Sequence, residues 1–317
     1  RRPLGGAPAL SAITASGVDA AESDAYFLTV SGYLEPTTLY YGTLGNAATK
    51  PAPIKHAPRF FDASKYHVER HFAQSKDGTR VPYFVVAPRT LKPGGGKPTR
   101  REGDGGGESS MQPQYSGSVG RAWLAHGGVF VVANIRGGGE YGPRWHQAAL
   151  KAQRPRAYED FAAVAQDLVA RGITSKAHLG AMGGSNGGLL VGNMLTEYPQ
   201  LFSAIVCEVP LLDMKRYTHL SAGASWIAEY GDPDKPDEWA YIKAFSPYQN
   251  VHAGGQYPPV LFTTSTRDDR VGPAQARKMA AKMLGYGEDA SLYENIEGGH
   301  GGAADNKQAA FMAALGY

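Results

Sequence analysis

Ala181-Met-Gly-Gly-Ser185-Asn-Gly-Gly-Leu189-Leu-Val-Gly-Asn-Met-Leu195 joins the end of an apolar strand to the start of an apolar helix, with a serine at the junction between pairs of glycines. Glycines at that place allow a tight, strained turn that pushes the hydroxyl out above a sheet and leaves room for a substrate to approach. A hydrolase presents its nucleophile in this way, so the stretch predicts an α/β architecture around it.

The flanking sequence keeps that rhythm. Strands read at Val68 to Ala73 and Arg80 to Ala87, joined by a Lys76-Asp-Gly-Thr79 turn, and then at Gly128 to Ala133, Leu179 to Met182, Ala204 to Val209, Val260 to Thr264 and Ala290 to Ile296. Helical patterns lie between them at Tyr158 to Arg171, with Phe161, Ala165, Leu168 and Val169 on one face, and at Asn186 to Tyr198, Gly272 to Gly285 and Ala303 to Leu315. Such alternation gives a doubly wound, mostly parallel sheet. Residues 1–57 read as a separate unit: a β-hairpin from runs at Tyr26 to Val30 and Thr37 to Tyr41, then a Pro-rich linker. A lone hairpin is marginal in water, so it must pack on the main domain at 58–317 or belong to a larger sheet. Residues 92–120, rich in Gly, Lys, Arg and Glu, break the α/β rhythm; nothing there resembles a buried strand, and a long surface loop is expected.

A serine hydroxyl is a poor nucleophile at neutral pH and needs a base within hydrogen-bond reach, itself oriented by a third group. The α/β-hydrolase order is Ser, acid, His. Asp268 follows the strand Val260 to Thr264, and His300 follows the strand ending in Tyr293-Glu-Asn-Ile296. Both fall at carboxyl ends of strands, on the rim where Ser185 stands and where open α/β sheets place their sites. Each residue alone has a bland explanation in a chain with 41 glycines, a solvated turn or a loop histidine. Their joint order and placement point to a triad.

Other chemistries find no support. A net charge of +3 with scattered Lys and Arg offers no concentrated basic face for nucleic acid. The one cysteine, Cys207, lies in the apolar run Ala204-Ile-Val-Cys207 and reads as a buried, inert thiol. No apolar run approaches the roughly 18 residues of a membrane span, and no signal peptide opens the chain. His67 and His71 share a strand, where four residues separate them by about 13 Å, so no metal is assigned. Arg136-Gly-Gly-Gly-Glu140 and Gly94-Gly-Gly-Lys97 lack the phosphate-loop pattern, and no cofactor is expected. The opening Arg1-Arg-Pro3, without Met, suggests a missing start. The expected state is a cytoplasmic monomer, with a periplasmic or secreted location as the alternative.

Several motifs carry a resemblance. Asn134-Ile-Arg-Gly-Gly-Gly-Glu-Tyr-Gly142, Gly183-Gly-Ser-Asn-Gly-Gly188, Asp213-Met214, Trp226 with Glu229-Tyr-Gly-Asp232, Phe245-Ser-Pro-Tyr248, Asp268-Asp-Arg-Val271 and Gly299-His-Gly-Gly302 together resemble the prolyl oligopeptidase family of serine peptidases, over roughly residues 20–317. Asn rather than Ala after the serine is similar to the proline-specific branch, not to oligopeptidase B. The resemblance implies an α/β-hydrolase domain with Ser185 as nucleophile, His300 as general base and acid, and Asp268 orienting it. It makes the Asn186 backbone N–H half of an oxyanion hole, Trp226 the platform for a substrate proline ring, Tyr230, Val271 and Leu211 pocket walls, and Arg270 the ligand of a peptide carbonyl. A flat aromatic platform with aliphatic walls suits a rigid, apolar ring that lacks an N–H.

The implied activity is cleavage of short proline-containing peptides on the carboxyl side of proline. The sequence departs from the family in two places. Family members carry a seven-bladed β-propeller, of which only the hairpin at 26–41 resembles the end of the last blade. The family's Tyr-Gly-Gly-Phe falls on Asp104-Gly-Gly-Gly107, so the second oxyanion donor becomes Asp104, and Arg100 and Arg101 occupy apolar strand positions. An ionised carboxylate would repel the oxyanion. Two alternatives therefore stand beside the peptidase: a catalytically impaired or dead peptide binder, and an unselective esterase.

Overall fold

The computed structural model describes residues 7–45, 50–92 and 94–317. Parts of the expected hairpin unit and of the 92–120 loop, residues 1–6, 46–49 and 93, lie outside them.

The hairpin is the middle of a larger sheet. Strands β1 (Ala12–Gly17), β2 (Ala25–Ser31), β3 (Thr38–Thr43) and β4 (Ala52–His56) pair antiparallel in sequence order. The two outer strands escape a sequence reading because they are almost wholly exposed and carry no apolar alternation. Pro53 in β4 is tolerated because a sheet edge needs no N–H on its free side. Only Tyr26, Leu28 and Val30 of β2 form a small core of their own.

The second sheet holds eight strands: β5 (Tyr66–Gln74), β6 (Arg80–Pro88), β7 (Thr99–Glu102), β8 (Val129–Ala133), β9 (Leu179–Gly184), β10 (Ala204–Glu208), β11 (Val260–Ser265) and β12 (Ala290–Asn295). From one edge to the other the order is β5, β6, β8, β7, β9, β10, β11, β12. Only the pairs β5–β6 and β6–β8 are antiparallel. Helices α1 (Pro143–Gln147), α2 (Pro155–Ala170), α3 (Asn186–Glu197), α4 (Ile227–Tyr230), α5 (Pro236–Ile242), α6 (Pro247–Asn250), α7 (Ala274–Gly285) and α8 (Asn306–Gly316) connect or cover the strands. This is the α/β-hydrolase arrangement, and it brings the ends of β9, β11 and β12 to one rim.

Side-chain alternation splits the core in two. Val85, Val131, Ala181, Ile205 and Phe262 face one way, against Phe161 and Leu168 of α2, Leu190 of α3 and Met279 of α7. Val86, Phe130 and Val132 face the other way, where Tyr33 from the β2–β3 turn packs beside Leu124. A strand buried on both faces shows a continuous apolar run, as β8 does. Two expectations need correction. Val169 lies outside the buried face of α2 and is 43% exposed, because it sits on the solvent side of the last turn beside the buried Leu168. The 92–120 segment is not all surface loop.

Residues 99–102 of that segment form β7, in the middle of the sheet, parallel to β8 and β9. Backbone hydrogen bonding from two finished neighbours holds a sequence that its side chains disfavour. Arg101 is fully buried, and Nε, Nη1 and Nη2 all lack a partner; the guanidinium lies 3.3 Å above the Phe161 ring. Arg100 points to the opposite face, 4.5 Å over the Tyr317 ring and paired with Glu102.

Candidate active site

Ser185 sits between β9 and α3 with φ 57° and ψ −115°, a strained backbone for a residue with a side chain. Its N–H donates to the Glu208 carbonyl at the end of β10, 2.9 Å away, which ties the elbow to the neighbouring strand. Gly183 is required by packing: a Cβ there would lie 2.3 Å from the Gly187 carbonyl oxygen. Asn186 is the first residue of α3, so its N–H has no acceptor within the helix.

The acid and the imidazole come from two further strand ends. His300 Nδ1 lies 3.1 Å from both carboxylate oxygens of Asp268. An ionised carboxylate only accepts, so Nδ1 carries the proton and Nε2 is left as the basic nitrogen. Burial pushes the Asp268 carboxyl up, but the His300 imidazole and the backbone N–H groups of Arg270 and Val271 more than offset it and hold the carboxyl below its ordinary value. The histidine loop is anchored where Asn295 donates to the Gly302 carbonyl at 2.8 Å and the Ser265 hydroxyl donates to the Gly299 carbonyl. No hydrogen bond joins the Ser185 hydroxyl to His300 among the described residues. In unliganded sites such bonds are commonly long and tighten only with substrate.

A cavity of about 520 Å³ opens beside Ser185. Of the residues expected around it, Asp104, Asn186, Leu211, Trp226, Tyr230 and Arg270 line it. Val271 does not: it is 1% exposed and belongs to the main core. Trp226 and the exposed Arg270 stand together, with the guanidinium 6.0 Å from the indole centroid. Glu108, His146 and Glu229 also line the cavity and were not singled out as site residues from the sequence. Glu229 lies in a quoted motif; His146, in Arg144-Trp-His146, carries no spacing signal.

The loop after β7 forms the far wall. Gly105, at φ +69°, is pressed so close to Ile135 that a Cβ would lie 2.5 Å from its Cδ1. Asp104 accepts from the Gly106 N–H and from Asn186 Nδ2, both at 3.1 Å. Burial raises the Asp104 carboxyl above its ordinary value; the Arg154 charge and the Asn186 and Gly106 hydrogen bonds oppose this only in part. The Asn186 carboxamide is held on every side: Nδ2 also donates to the Asp104 carbonyl at 2.8 Å, and Oδ1 accepts from Arg154 at 2.5 Å and from the Tyr230 hydroxyl at 2.6 Å. Arg154, fully buried behind this wall, gave no sequence signal, because Gln153-Arg-Pro-Arg156 reads as a charged surface turn.

Among the described residues no group of three or more His, Cys, Asp or Glu is arranged to hold a metal ion, and no helix is long and apolar enough to cross a membrane. His67 and His71 both turn their Nε2 to Glu69, at 3.0 and 2.9 Å. Cys207 is buried, and burial pushes its thiol well up, which leaves it unreactive.

Residues 115–315 match the model of the prolyl oligopeptidase family. An uncharacterized peptidase of Sinorhizobium fredii is 52% identical over 297 residues, covering 93% of this chain and 40% of the relative. A prolyl endopeptidase of Elizabethkingia meningoseptica is 38% identical over 271 residues, covering 84% of this chain and 37% of the relative. Among solved structures, a prolyl endopeptidase aligns with a TM-score of 0.88 at 38% identity, over 95% of this chain and 45% of that one. A post-proline cleaving enzyme from Rickettsia typhi aligns at 0.86 and 37%, over 96% and 44%. The chain thus spans about two fifths of the length of the curated relatives it matches. With the elbow serine, the paired acid and imidazole, and these likenesses together, the chain belongs to the prolyl oligopeptidase family.

Proposed function

We propose that the chain is the catalytic part of a serine endopeptidase that cleaves short peptides on the carboxyl side of proline through an acyl-enzyme. The observation that carries this is the Asp268–His300 pair on the rim it shares with the strained Ser185, beside a cleft with an indole wall. Ser185 Oγ attacks the carbonyl carbon after proline while His300 Nε2 takes its proton. The tetrahedral oxyanion accepts a hydrogen bond from the Asn186 backbone N–H. Collapse breaks the C–N bond, His300 returns the proton to the leaving amine, and water repeats the sequence on the ester. Asp268 keeps the imidazole in the required tautomer and stabilises its cationic form. Trp226 and Leu211 receive the proline ring, and Arg270 receives a carbonyl further along the peptide.

The test is turnover of a proline-linked chromogenic dipeptide with Ser185→Ala as control. Hydrolysis should fall by about 10⁶ in the variant, the scale seen when a triad serine is removed; release that survives would remove the assignment. One observation favours a second reading, a peptide binder with little turnover: the Asp104 carboxyl occupies the side of the cleft that faces Asn186. A serine-directed phosphonate separates the two readings. Stoichiometric labelling of Ser185 means a working triad, and no labelling favours the binder.

We further propose that β1–β4, a four-stranded sheet in up-and-down order, is a propeller blade joined to the peptidase domain.

A further inference from the structure

Behind the pocket wall lies a chain of polar contacts that the reaction as described does not use. Glu229, on α4 between Trp226 and Tyr230, accepts at Oε1 from the Gly107 N–H and from Arg154 Nη1, both at 3.0 Å. Its Oε2 lies 2.7 Å from His146 Nε2. Arg154 extends its other nitrogen, Nη2, to Asn186 Oδ1, and its guanidinium stands 5.2 Å over the Tyr230 ring. One carboxylate and one guanidinium therefore touch three parts of the site: helix α4, the loop after β7 and the residue after the nucleophile.

We infer that Arg154 and Glu229 are positioning residues that lock the Asn186 carboxamide and the 103–107 loop to α4, so that the oxyanion donor and the proline platform keep one fixed spacing. The inference rests on the proposed roles of Ser185 and Asn186. Its physical basis is that a buried fork holding two acceptors at once leaves neither free to rotate, whereas a lysine ammonium has rotatable donors on one atom and cannot fix the spacing between them. The pair is also costly to break, because removing one charge leaves the other uncompensated. Conformational drift of about 1 Å at a reacting centre costs about 10²-fold in rate.

Three single variants of the full chain, Arg154→Lys, Glu229→Gln and Asn186→Ala, and the Arg154→Lys/Glu229→Gln double variant test this. Each single variant should lower kcat on the proline substrate by about 10²-fold with KM changed only a few-fold. The double variant should be no worse than the poorer single, since both act through one contact. Asn186→Ala removes no charge, although it takes one acceptor from Arg154, and serves where a charge variant fails to fold. Backbone amide exchange in residues 103–109 should quicken in Glu229→Gln and Arg154→Lys while β11 stays protected. Unchanged exchange there, additive losses, or turnover within two-fold of the unaltered chain would overturn the inference. If the unaltered chain fails to hydrolyse the substrate, the proposed function falls, and exchange at 103–109 still decides whether the lock exists.

Discussion

Strands β7 and β9 lie side by side at the centre of one sheet, and each runs into a loop of the active site, yet only one of them has side chains suited to its place. β9 contributes Leu179, Ala181 and Met182, all buried against apolar neighbours, and ends in glycines that its elbow requires. β7 contributes Arg100 and Arg101, the second with three unpartnered nitrogens, and ends in the loop that carries Asp104. Still, the loops after both strands hold tight glycine geometry, and the ladder between the strands is intact. The difference teaches that backbone pairing and glycine spacing can place a strand and shape a site even where side-chain chemistry argues against both.

The largest expected effect comes from making β7 resemble β9. Arg101→Leu should raise stability by about 3 kcal/mol, the scale of an uncompensated buried charge, read as a higher urea midpoint at unchanged slope; a loss of stability would mean that stacking on Phe161 outweighs the burial of the charge. Next, Asp104→Tyr should raise kcat by about 10², the low end of what one oxyanion donor contributes. Steady-state kinetics with a proline substrate checks it, and an unchanged kcat would show that the wall opposite Ser185 takes no part in the reaction.

Smaller effects concern pH. The folded state holds the Asp104 proton more tightly than the unfolded chain, so this group stabilises the fold on the acid side and that contribution is lost as pH rises through its raised value. Asp268 is lowered and acts in the opposite sense: its contribution is present above the ordinary carboxylate value and is lost as pH falls through the folded one. Asp104→Asn should therefore flatten the decline of melting temperature with rising pH just above the carboxylate range, and Asp268→Asn should flatten the decline on the acid side. Equal slopes in wild type and variant would contradict the assigned directions.

The same contrast decides what could be read from the residues. β8, β9, β10 and β11 were legible because strands buried on both faces show as short apolar runs with turn residues at each end. Ser185 and Asp268 were legible because each follows such a run, and His300 because it follows a strand in the order that a serine, acid and histidine set requires. β7 was not, since Thr-Arg-Arg-Glu between glycine runs gives no reason to expect burial; only the two strands that flank it in space, 30 and 80 residues on at their paired positions, create its place. β1 and β4 were hidden by exposure, and Val169 was misassigned because a neighbouring buried residue shared its apolar character. The lock around Asn186 was invisible for a different reason. Arg154 and Glu229 are 75 positions apart, and a lone arginine before a proline looks like solvent-facing charge.

The late creation of that central slot has a kinetic side. Both partners of β7 are synthesised after it, and four residues containing two arginines have little tendency to extend unaided. During refolding the gap between β8 and β9 should close last, because non-local pairing must first be prepared by the rest of the sheet. Until then it offers two unsatisfied strand edges to any passing chain. The Arg101→Leu variant should therefore refold faster and precipitate less on dilution from denaturant, quite apart from the stability it gains.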